Sequence, residues 1–258
     1  MTSYDDIAAR RYAAAESRPD SFSLRLAPRL IRLFHRERPR PTGPGPAVPS
    51  LLDIGAGTGQ LGDALRVAGF DNLSVDRSLP MLIHRSGIRS GRPGSAVVAD
   101  AGALPLTARF DLITATFNVV NHLPSLDTVQ AMISEVGRLL APNGLFVFDI
   151  NTRLGLQATS ELTQHHDGPS DLTTWSRHWL DDKRLRLQAS GAFLAEGRWH
   201  RYEETIDKIV VTVAELERYC TAAGLTVPSW RSDDLETVLD DPEEHPVAFG
   251  VVGPVGAQ

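Results

Sequence analysis

The chain contains very little cysteine. Cys220 is the single cysteine among 258 residues, so no internal disulfide can form. One thiol in a chain of this length is typical of a reducing compartment, and we therefore expect a cytoplasmic location. We expect Cys220 to pack within a helix rather than to act as a nucleophile.

Long apolar runs and an excess of positive charge are also missing. No stretch reaches the roughly 18–20 apolar residues that a membrane-spanning helix needs, and Met1–Asp6 lacks the basic and apolar blocks of a signal peptide. The formal net charge is −6, whereas nucleic-acid binding requires a clustered positive surface. We therefore expect neither a nucleic-acid nor a membrane partner. The oligomeric state is left open.

What the chain does contain is an alternation of strand-like and helix-like segments. Five strands are predicted between Leu51 and Ile150, the last of them Leu145–Ile150 after a break at Pro142–Gly144, and two more near 225–231 and 247–252. This predicts an α/β fold, a Rossmann-like seven-stranded sheet with helices on both faces. Period-two patterns in 175–213 predict a small antiparallel β insertion after strand five.

The composition divides the chain into four parts. Residues 1–38 are predicted as a helical N-terminal arm that caps the site, and 39–49 as a proline-rich linker. Residues 50–152 and 214–258 form the ligand-binding domain, and 153–213 an inserted antiparallel cap. Arginines recur within residues 1–40, from Arg25 to Arg40, either as a solvated helix face or as a docking surface for an anionic partner.

The segment Leu51–Gly59 is a buried strand that ends in a turn with glycine at every second position. Such a turn lets a ligand approach the backbone at the start of the next helix. The carboxylate of Asp53 would repel a pyrophosphate but attract a cationic amine. S-adenosylmethionine (SAM) carries such an amine and no phosphate.

Two more acidic residues follow the next two predicted strands. Asp76 comes about 20 residues after Gly55, the distance at which a carboxylate accepts hydrogen bonds from ribose hydroxyls. Asp100, followed by the small Ala101, suits an adenine amino group. Because the carboxyl ends of parallel strands meet at one sheet edge, we expect these acids to line one ligand site.

These motifs resemble those of the class I SAM-dependent methyltransferases. Asp53–Gly59 resembles their first motif, Asp76–Leu82 the end of their second strand and Asp100–Leu106 their adenine-binding turn. Phe110–Ile113 and Leu139–Gly144 are similar to the fourth strand and the turn before the fifth. The resemblance implies SAM as cofactor, with the methionyl part at Asp53, Gly55, Ala56, Gly57 and Gly59, the ribose at Asp76, and the adenine among Arg77, Met81, Asp100 and Ala101.

A narrower resemblance is to bacterial small-molecule methyltransferases that act on amino sugars and antibiotic precursors. The segments Thr116–Leu123 and Phe146–Thr152 carry it. It implies an N-methyltransferase of natural-product biosynthesis whose arm closes over the cofactor, here with Tyr4 and Tyr12. The Glu-x-His pattern of that group is absent, since Glu204 is followed by threonine and isoleucine.

Acceptor binding and catalysis involve the loop after strand four and the inserted sheet. His122 is the candidate general base, with Asn121 beside it and Phe117 packing near the cofactor. Methyl transfer to an amine needs only an unprotonated nitrogen, whereas a hydroxyl acceptor requires such a base. Candidate acceptor contacts on the inserted strands are Trp175, Arg198, Tyr202 and Glu204.

Several alternatives compete with these predictions. The spacing Gly57–Gly62 also fits a nicotinamide-binding turn, although it begins late and follows Asp53. A SAM-binding scaffold without catalysis is a further alternative, as is O-methylation. Asp149 and Asn151 could hold Mg²⁺, but we favour hydrogen bonding at a strand end. His165–Asp167 is interpreted as a solvated loop, and no metal site is predicted.

Overall fold

The computed structural model describes residues 5–16, 21–38, 48–84, 95–160 and 163–256. The predicted linker lies outside these ranges apart from its last two residues. The described residues form eleven strands: β1 Ser50–Ile54, β2 Asp71–Asp76, β3 Ser95–Val98, β4 Phe110–Ala115, β5 Leu140–Asn151, β6 Thr163–Asp167, β7 Asp171–Trp179, β8 Arg184–Ala195, β9 Arg198–Ile209, β10 Ser229–Arg231 and β11 Val247–Val252.

Helices alternate with the strands of the main sheet. In the described ranges they are α1 Asp6–Glu16, α2 Phe22–Glu37, α3 Gln60–Val67, α4 Leu79–Ile83, α5 Val119–His122, α6 Leu126–Leu139, α7 Arg153–Ala158 and α8 Val213–Ala222, with a 3₁₀ turn at Pro242–Glu244. Side-chain oxygens cap several of them: Ser125 accepts from the Thr128 N–H at the start of α6, and Thr212 forms a capping box with Glu215 on α8.

The main sheet has seven strands in the order β10-β11-β5-β4-β1-β2-β3. Strands β1 to β5 run parallel, whereas β11 is antiparallel to β5 and β10 to β11. The chain leaves β1 toward β2 on one side and returns to β4 on the other, which opens a crevice at the carboxyl ends of these strands. A second, four-stranded antiparallel sheet has the order β6-β7-β8-β9. Both predicted sheets are confirmed.

Apolar side chains cover both faces of the main sheet. Leu52 contributes to a core with Val129 of α6 and Leu216 of α8, whereas the neighbouring Leu51 packs with helices α2 and α3, among them Leu65, on the other face. Adjacent residues of a strand point to opposite faces, so a continuous apolar run is required where both faces are covered. The prediction of helices on both faces is confirmed.

Three element predictions were wrong. Strand β5 begins at Leu140 and runs through Pro142–Gly144 instead of breaking there, because a register shift between Phe110 and Leu112 of β4 absorbs the extra residues. The predicted strand at 225–231 is continuous only over Ser229–Arg231, and Leu225 forms an isolated antiparallel bridge with Pro254. His165–Asp167 belongs to strand β6, whose residues are all exposed, so it carries no apolar alternation that would indicate a strand.

The arginines of α2 neither form a fully solvated face nor lie free for a partner. Arg29 donates to the Asp233 carbonyl over 2.7 Å and Arg36 to the Leu235 carbonyl over 3.0 Å, and Arg32 pairs with Glu236 at 3.3 Å. Leu235 is buried with a positive φ of 62°. The arginines therefore fasten a surface turn to the helix; Arg40 lies outside the described residues.

Two further expectations concern membranes and the lone thiol. In the described part of the chain, no helix is both long and apolar enough to cross a membrane. Cys220 is fully buried in α8, and this burial raises its thiol pKa to about 12. The thiolate needed for nucleophilic chemistry is thereby suppressed, which fits a packing role.

Gly250 of β11 provides a test of the sheet packing. A Cβ at this position would come within 2.4 Å of the Phe148 ring, whereas at Gly253 the nearest atom is 3.8 Å away. We expect Gly250→Ala to lower the free energy of unfolding by about 1–3 kcal/mol through overpacking, measured by urea denaturation. Gly253→Ala is the matched control, and an equal loss in both variants would contradict this account.

Candidate active site

A cavity of about 490 Å³ lies at the carboxyl ends of the parallel strands. Its floor is the edge of the main sheet, its side is helix α1, and its far wall is the face of the four-stranded sheet formed by β7, β8 and β9. Twelve of the residues predicted for the site line it: Tyr12, Gly55, Gly57, Asp76, Arg77, Met81, Asp100, Ala101, Phe117, His122, Trp175 and Glu204.

The turn after β1 requires glycine because its backbone takes left-handed conformations. Gly55 and Gly57 have φ of 66° and 55°, which side chains rarely adopt. A Cβ on Gly57 would also lie 3.3 Å from the Tyr12 ring, and one on Gly55 would collide with Val119. The turn therefore presents bare backbone to the cavity at the start of α3.

Asp76 joins this turn to the end of β2. Its carboxylate accepts hydrogen bonds from the Gly57 N–H and the Ser78 N–H, each over 2.8 Å. Burial raises the pKa of Asp76, although these hydrogen bonds oppose the shift. Asp100 lies at the same sheet edge, where it accepts from the Gly102 N–H over 2.8 Å. Two carboxylates therefore project from neighbouring strand ends into one cavity.

Asp53 lies beneath the turn rather than on the cavity surface. It is 3% exposed, and its Oδ1 accepts from the Thr114 hydroxyl over 2.7 Å. The neighbouring Ala56 N–H donates to the Val75 carbonyl, and Gly59 starts α3 with φ of 78°.

The turn after β4 is strained and is held by a buried acid. Phe117 and Asn118 have positive φ of 69° and 63°; asparagine tolerates this conformation, whereas for the bulky phenylalanine it is unfavourable. The Asp149 carboxylate of β5 accepts from the Asn118 N–H over 3.0 Å. Burial raises the pKa of Asp149 to about 7, against the opposing effect of the backbone N–H groups. This arrangement matches the favoured strand-end role of Asp149, and the described residues contain no cluster of three or more metal-ligating side chains.

Helix α1 closes the cavity through aromatic contacts. The Tyr12 and Phe117 rings meet edge to face with their centres 5.6 Å apart, and the centre of the Phe22 ring lies 5.2 Å from that of Phe117. Edge-to-face pairs of this kind stabilise a defined arrangement of rings. Tyr12 is therefore held above Gly57, whereas Tyr4 lies outside the described residues.

An ion pair and a hydrogen bond anchor α1 at two further points. Arg11 bonds Glu204 of β9 at 2.6 Å, with both side chains largely buried, and its guanidinium lies 4.7 Å from the centre of the Tyr202 ring. Asp6 meets His84, just after α4, at 2.5 Å, and this hydrogen bond lowers the pKa of Asp6. The helix thus bridges the main sheet's cofactor edge and the inserted sheet.

His122 lies on the one-turn helix α5, not in a loop as predicted, and lines the cavity. Burial, together with the charges of Lys208 and Arg77, lowers its pKa to about 3. Such an imidazole is neutral at physiological pH and is a weak base. His122 is better suited to accept or donate a hydrogen bond than to retain an abstracted proton.

The inserted sheet contributes two cations that the sequence predictions missed. Arg177 of β7 and Lys208 of β9 line the cavity. Burial and the charge of Arg177 lower the pKa of Lys208 to about 8, although Asp149 opposes the shift. Burial also lowers the pKa of Arg177. Lys208 could have been found from its period-two spacing with Glu204 and from the rarity of lysine in this chain.

Three candidate acceptor contacts lie away from the cavity surface. Asn121 is fully buried, where its side-chain amide donates to the Asn151 and Ile209 carbonyls and accepts from the Asn151 N–H. Tyr202 is buried and its hydroxyl bonds Thr173. Arg198 is exposed at the start of β9, beside the tight turn that joins it to β8. Of the four predicted contacts on the inserted strands, Trp175 and Glu204 line the cavity.

Comparison with known proteins identifies the family. The family model described as a methyltransferase domain matches residues 22–229. The chain belongs to this family. It is a SAM-dependent methyltransferase, as the glycine turn and its acids predicted, and the nicotinamide alternative is set aside.

Sequence relatives of this methyltransferase are distant. An uncharacterized methyltransferase of Mycobacterium ulcerans is 33% identical over 118 residues, which cover 45% of each chain. The Bacillus subtilis protein YqeM, which also carries a methyltransferase name, is 22% identical over 191 residues, covering 72% of this chain and 77% of YqeM.

Solved structures share the fold of this methyltransferase. A SAM-dependent methyltransferase from Clostridium acetobutylicum superposes with a TM-score of 0.82 at 19% identity, over 95% of this chain and 98% of that one. The amino pentose methyltransferase CalS10 from Micromonospora echinaspora gives a TM-score of 0.71 at 17% identity, over 95% and 96%. The sugar N-methyltransferase KedS8 from Streptoalloteichus gives 0.69 at 18%, over 93% and 90%.

The residues present fit SAM. The Gly57 backbone lies beside the Asp76 carboxylate. A Cβ at Gly57 would narrow the space between this backbone and Tyr12, so its absence leaves room for a ligand to approach closely. Gly55 and Gly57 would hold the methionyl part, Asp76 the ribose, and Met81 and Asp100 the adenine. When bound, SAM supplies an electrophilic methyl group on a sulfonium.

Asp76→Ala tests the cofactor site. The substitution removes a charged acceptor and the hydrogen bond that orients the glycine turn. We expect the affinity for S-adenosylhomocysteine (SAH), the demethylated cofactor, to fall by about 1–3 kcal/mol, measured by titration calorimetry. Asp71→Ala, at the exposed opposite end of β2, should bind SAH as the unaltered chain does. Unchanged affinity in Asp76→Ala would refute the assignment.

His122 gives a prediction about protonation. Its imidazole should remain neutral at pH 5.5 in nitrogen-15 NMR spectra of the histidine side chains, with His122→Asn assigning the signal. The unfolded chain takes up this proton near pH 6.5, whereas the folded chain takes it up only near pH 3. His122 should therefore lower the free energy of unfolding as the pH falls from about 6.5 to about 3. A His122 signal that titrates near pH 6.5 would contradict the burial argument.

Proposed function

We propose that this enzyme transfers the methyl group of SAM to an amine nitrogen of a small molecule, such as a sugar or natural-product intermediate. The observation that carries the proposal is the cavity of about 490 Å³ between the cofactor edge of the main sheet and the inserted sheet, which His122 lines. A cavity of this size suits small ligands.

The weak basicity of His122 supports nitrogen over oxygen as the acceptor atom. An aliphatic hydroxyl must lose its proton during methyl transfer and therefore requires a strong, well-placed base. An unprotonated amine attacks directly and can release its proton afterwards. The protein then contributes mainly by holding the amine near attack distance and excluding water.

Two structural parts serve the acceptor in this proposal. Helix α1, within the arm 1–38, covers the cofactor through Tyr12, and the inserted segment 153–213 supplies the acceptor-facing wall with Trp175 and Glu204. His122 orients the acceptor from the end of α5. The names of CalS10 and KedS8, an amino pentose methyltransferase and a sugar N-methyltransferase, support an amine acceptor of this class.

A metabolite screen tests this function. Extracts enriched in amino sugars and small amines are incubated with enzyme and SAM, and mass spectrometry detects products heavier by one methylene unit together with SAH. We expect an N-methylated product from the unaltered enzyme and strongly reduced product from Asp76→Ala at limiting SAM. Fragmentation that places the methyl group on oxygen would replace the amine proposal with O-methylation.

A scaffold role predicts a different result. A protein that binds SAH with ordinary affinity but forms no methylated product from any extract would be a cofactor-binding module. The single cysteine supports the further proposal that the enzyme works in the cytoplasm.

A further inference from the structure

Arg177 and Lys208 share the cavity face of the inserted sheet. Leu187 of β8 pairs with Arg177 on one side and with Ile206 on the other, and Lys208 lies two residues beyond Ile206. Because side chains two residues apart on a strand point to the same face, both cations project toward the cavity on the strands that flank β8.

Neither cation forms a salt bridge within 4 Å of a carboxylate among the described residues, although the charge of the more distant Asp149 acts on Lys208. Arg177 donates to the Gln164 side-chain oxygen over 2.8 Å, and Lys208 donates to the Asn151 side-chain oxygen over 3.0 Å. Both acceptors are neutral amides, which satisfy N–H groups without cancelling charge. Arg177 therefore lacks the compensation that buried charges normally have, and Lys208 has only the longer-range charge of Asp149.

The carboxylates that line the cavity are engaged elsewhere. Glu204 pairs with Arg11, Glu16 accepts from the Ser23 N–H over 3.4 Å, and Asp76 and Asp100 bond backbone N–H groups of their own turns. The inner end of the inserted sheet thus carries an excess of positive charge, with the apolar side chains Trp175, Leu187 and Ile206 beside it.

We propose that the methyl acceptor carries a carboxylate or phosphate group, and that Arg177 and Lys208 bind this group. The inference rests on the proposed function and adds the substrate class: an amine with an acidic substituent. Arg177 supplies a planar fork that suits oxyanions, and Lys208 a compact second charge. The glycine turn and Asp76 belong to the main sheet, opposite these cations, which separates acceptor recognition from cofactor recognition.

The chain contains two lysines, Lys183 and Lys208, so lysine NMR can observe the site directly. Protein labelled with carbon-13 at the lysine ε position gives two signals, and Lys183→Met assigns them. With SAH present, sodium acetate and inorganic phosphate are titrated separately at constant ionic strength against chloride. We expect a saturable shift of the Lys208 signal and an upward shift of its pKa, with Lys183 unaffected.

Variants of the arginine make the test specific. Arg177→Gln should weaken the response of Lys208 to the probes by about tenfold or more, the effect of losing one charged hydrogen bond, whereas Arg177→Lys should retain part of it. Arg186→Gln is the matched control, because Arg186 pairs with Asp207 on the opposite face of the same sheet. A larger response to acetate indicates a carboxylate acceptor, and a larger response to phosphate a phosphorylated one.

Two outcomes would overturn the inference. One is the absence of a saturable Lys208 shift with either probe, or a shift that Arg177→Gln leaves unchanged. The other is a tenfold or larger loss of SAH affinity in Arg177→Gln or Lys208→Met, which would assign the cations to the carboxylate of the cofactor. Failure of SAH to bind the unaltered protein would count against the proposed function instead. The acetate and phosphate titrations would then be carried out without SAH and would still test the anion site.

Discussion

The hydrogen bonds that the Asp76 carboxylate accepts from Gly57 and Ser78 join the turns after β1 and β2. Parallel pairing brings these two strand ends to one edge, and the carboxylate then fixes how the turns sit relative to each other. Everything on the cofactor side depends on this link. The bare glycine backbone, the start of α3 and the position of Tyr12 above Gly57 all follow from a turn that cannot relax away from β2.

The cofactor half of the site could be predicted because it is encoded locally. Asp53, Asp76 and Asp100 are recognisable from their distances along the chain to predicted strands, and parallel pairing brings Asp76 and Asp100 to the cavity. The rest of the cavity depends on which part of β9 covers the sheet edge, which is a tertiary property. The lining includes Glu204 and Lys208, whereas Arg198 and Tyr202 lie on the same face of β9 but further along the strand, outside the cavity. The bulge in β5 was hidden because Pro142–Gly144 is also typical of a turn.

The two sheets contribute opposite electrostatics to one cavity. The main sheet presents carboxylates at the carboxyl ends of its parallel strands, where they can accept hydrogen bonds from hydroxyl, amine and N–H groups. The inserted sheet presents Arg177 and Lys208, and the Arg11–Glu204 pair neutralises the contact between arm and insertion. Helix α1 bridges the two, so its position can report whether both halves are correctly formed. In the proposed function, acceptor preference would therefore come from elements outside the parallel core of the main sheet.

The strained turn at Phe117–Asn118 has a thermodynamic consequence. The acid that holds it, Asp149, has a pKa of about 7, so near neutral pH the protein population carries a fractional proton at this position. A ligand that changes the solvation of this turn will change that fraction and exchange protons with the buffer. The heat of ligand binding near neutral pH should then vary with the ionisation enthalpy of the buffer, even for a ligand that carries no titrating group.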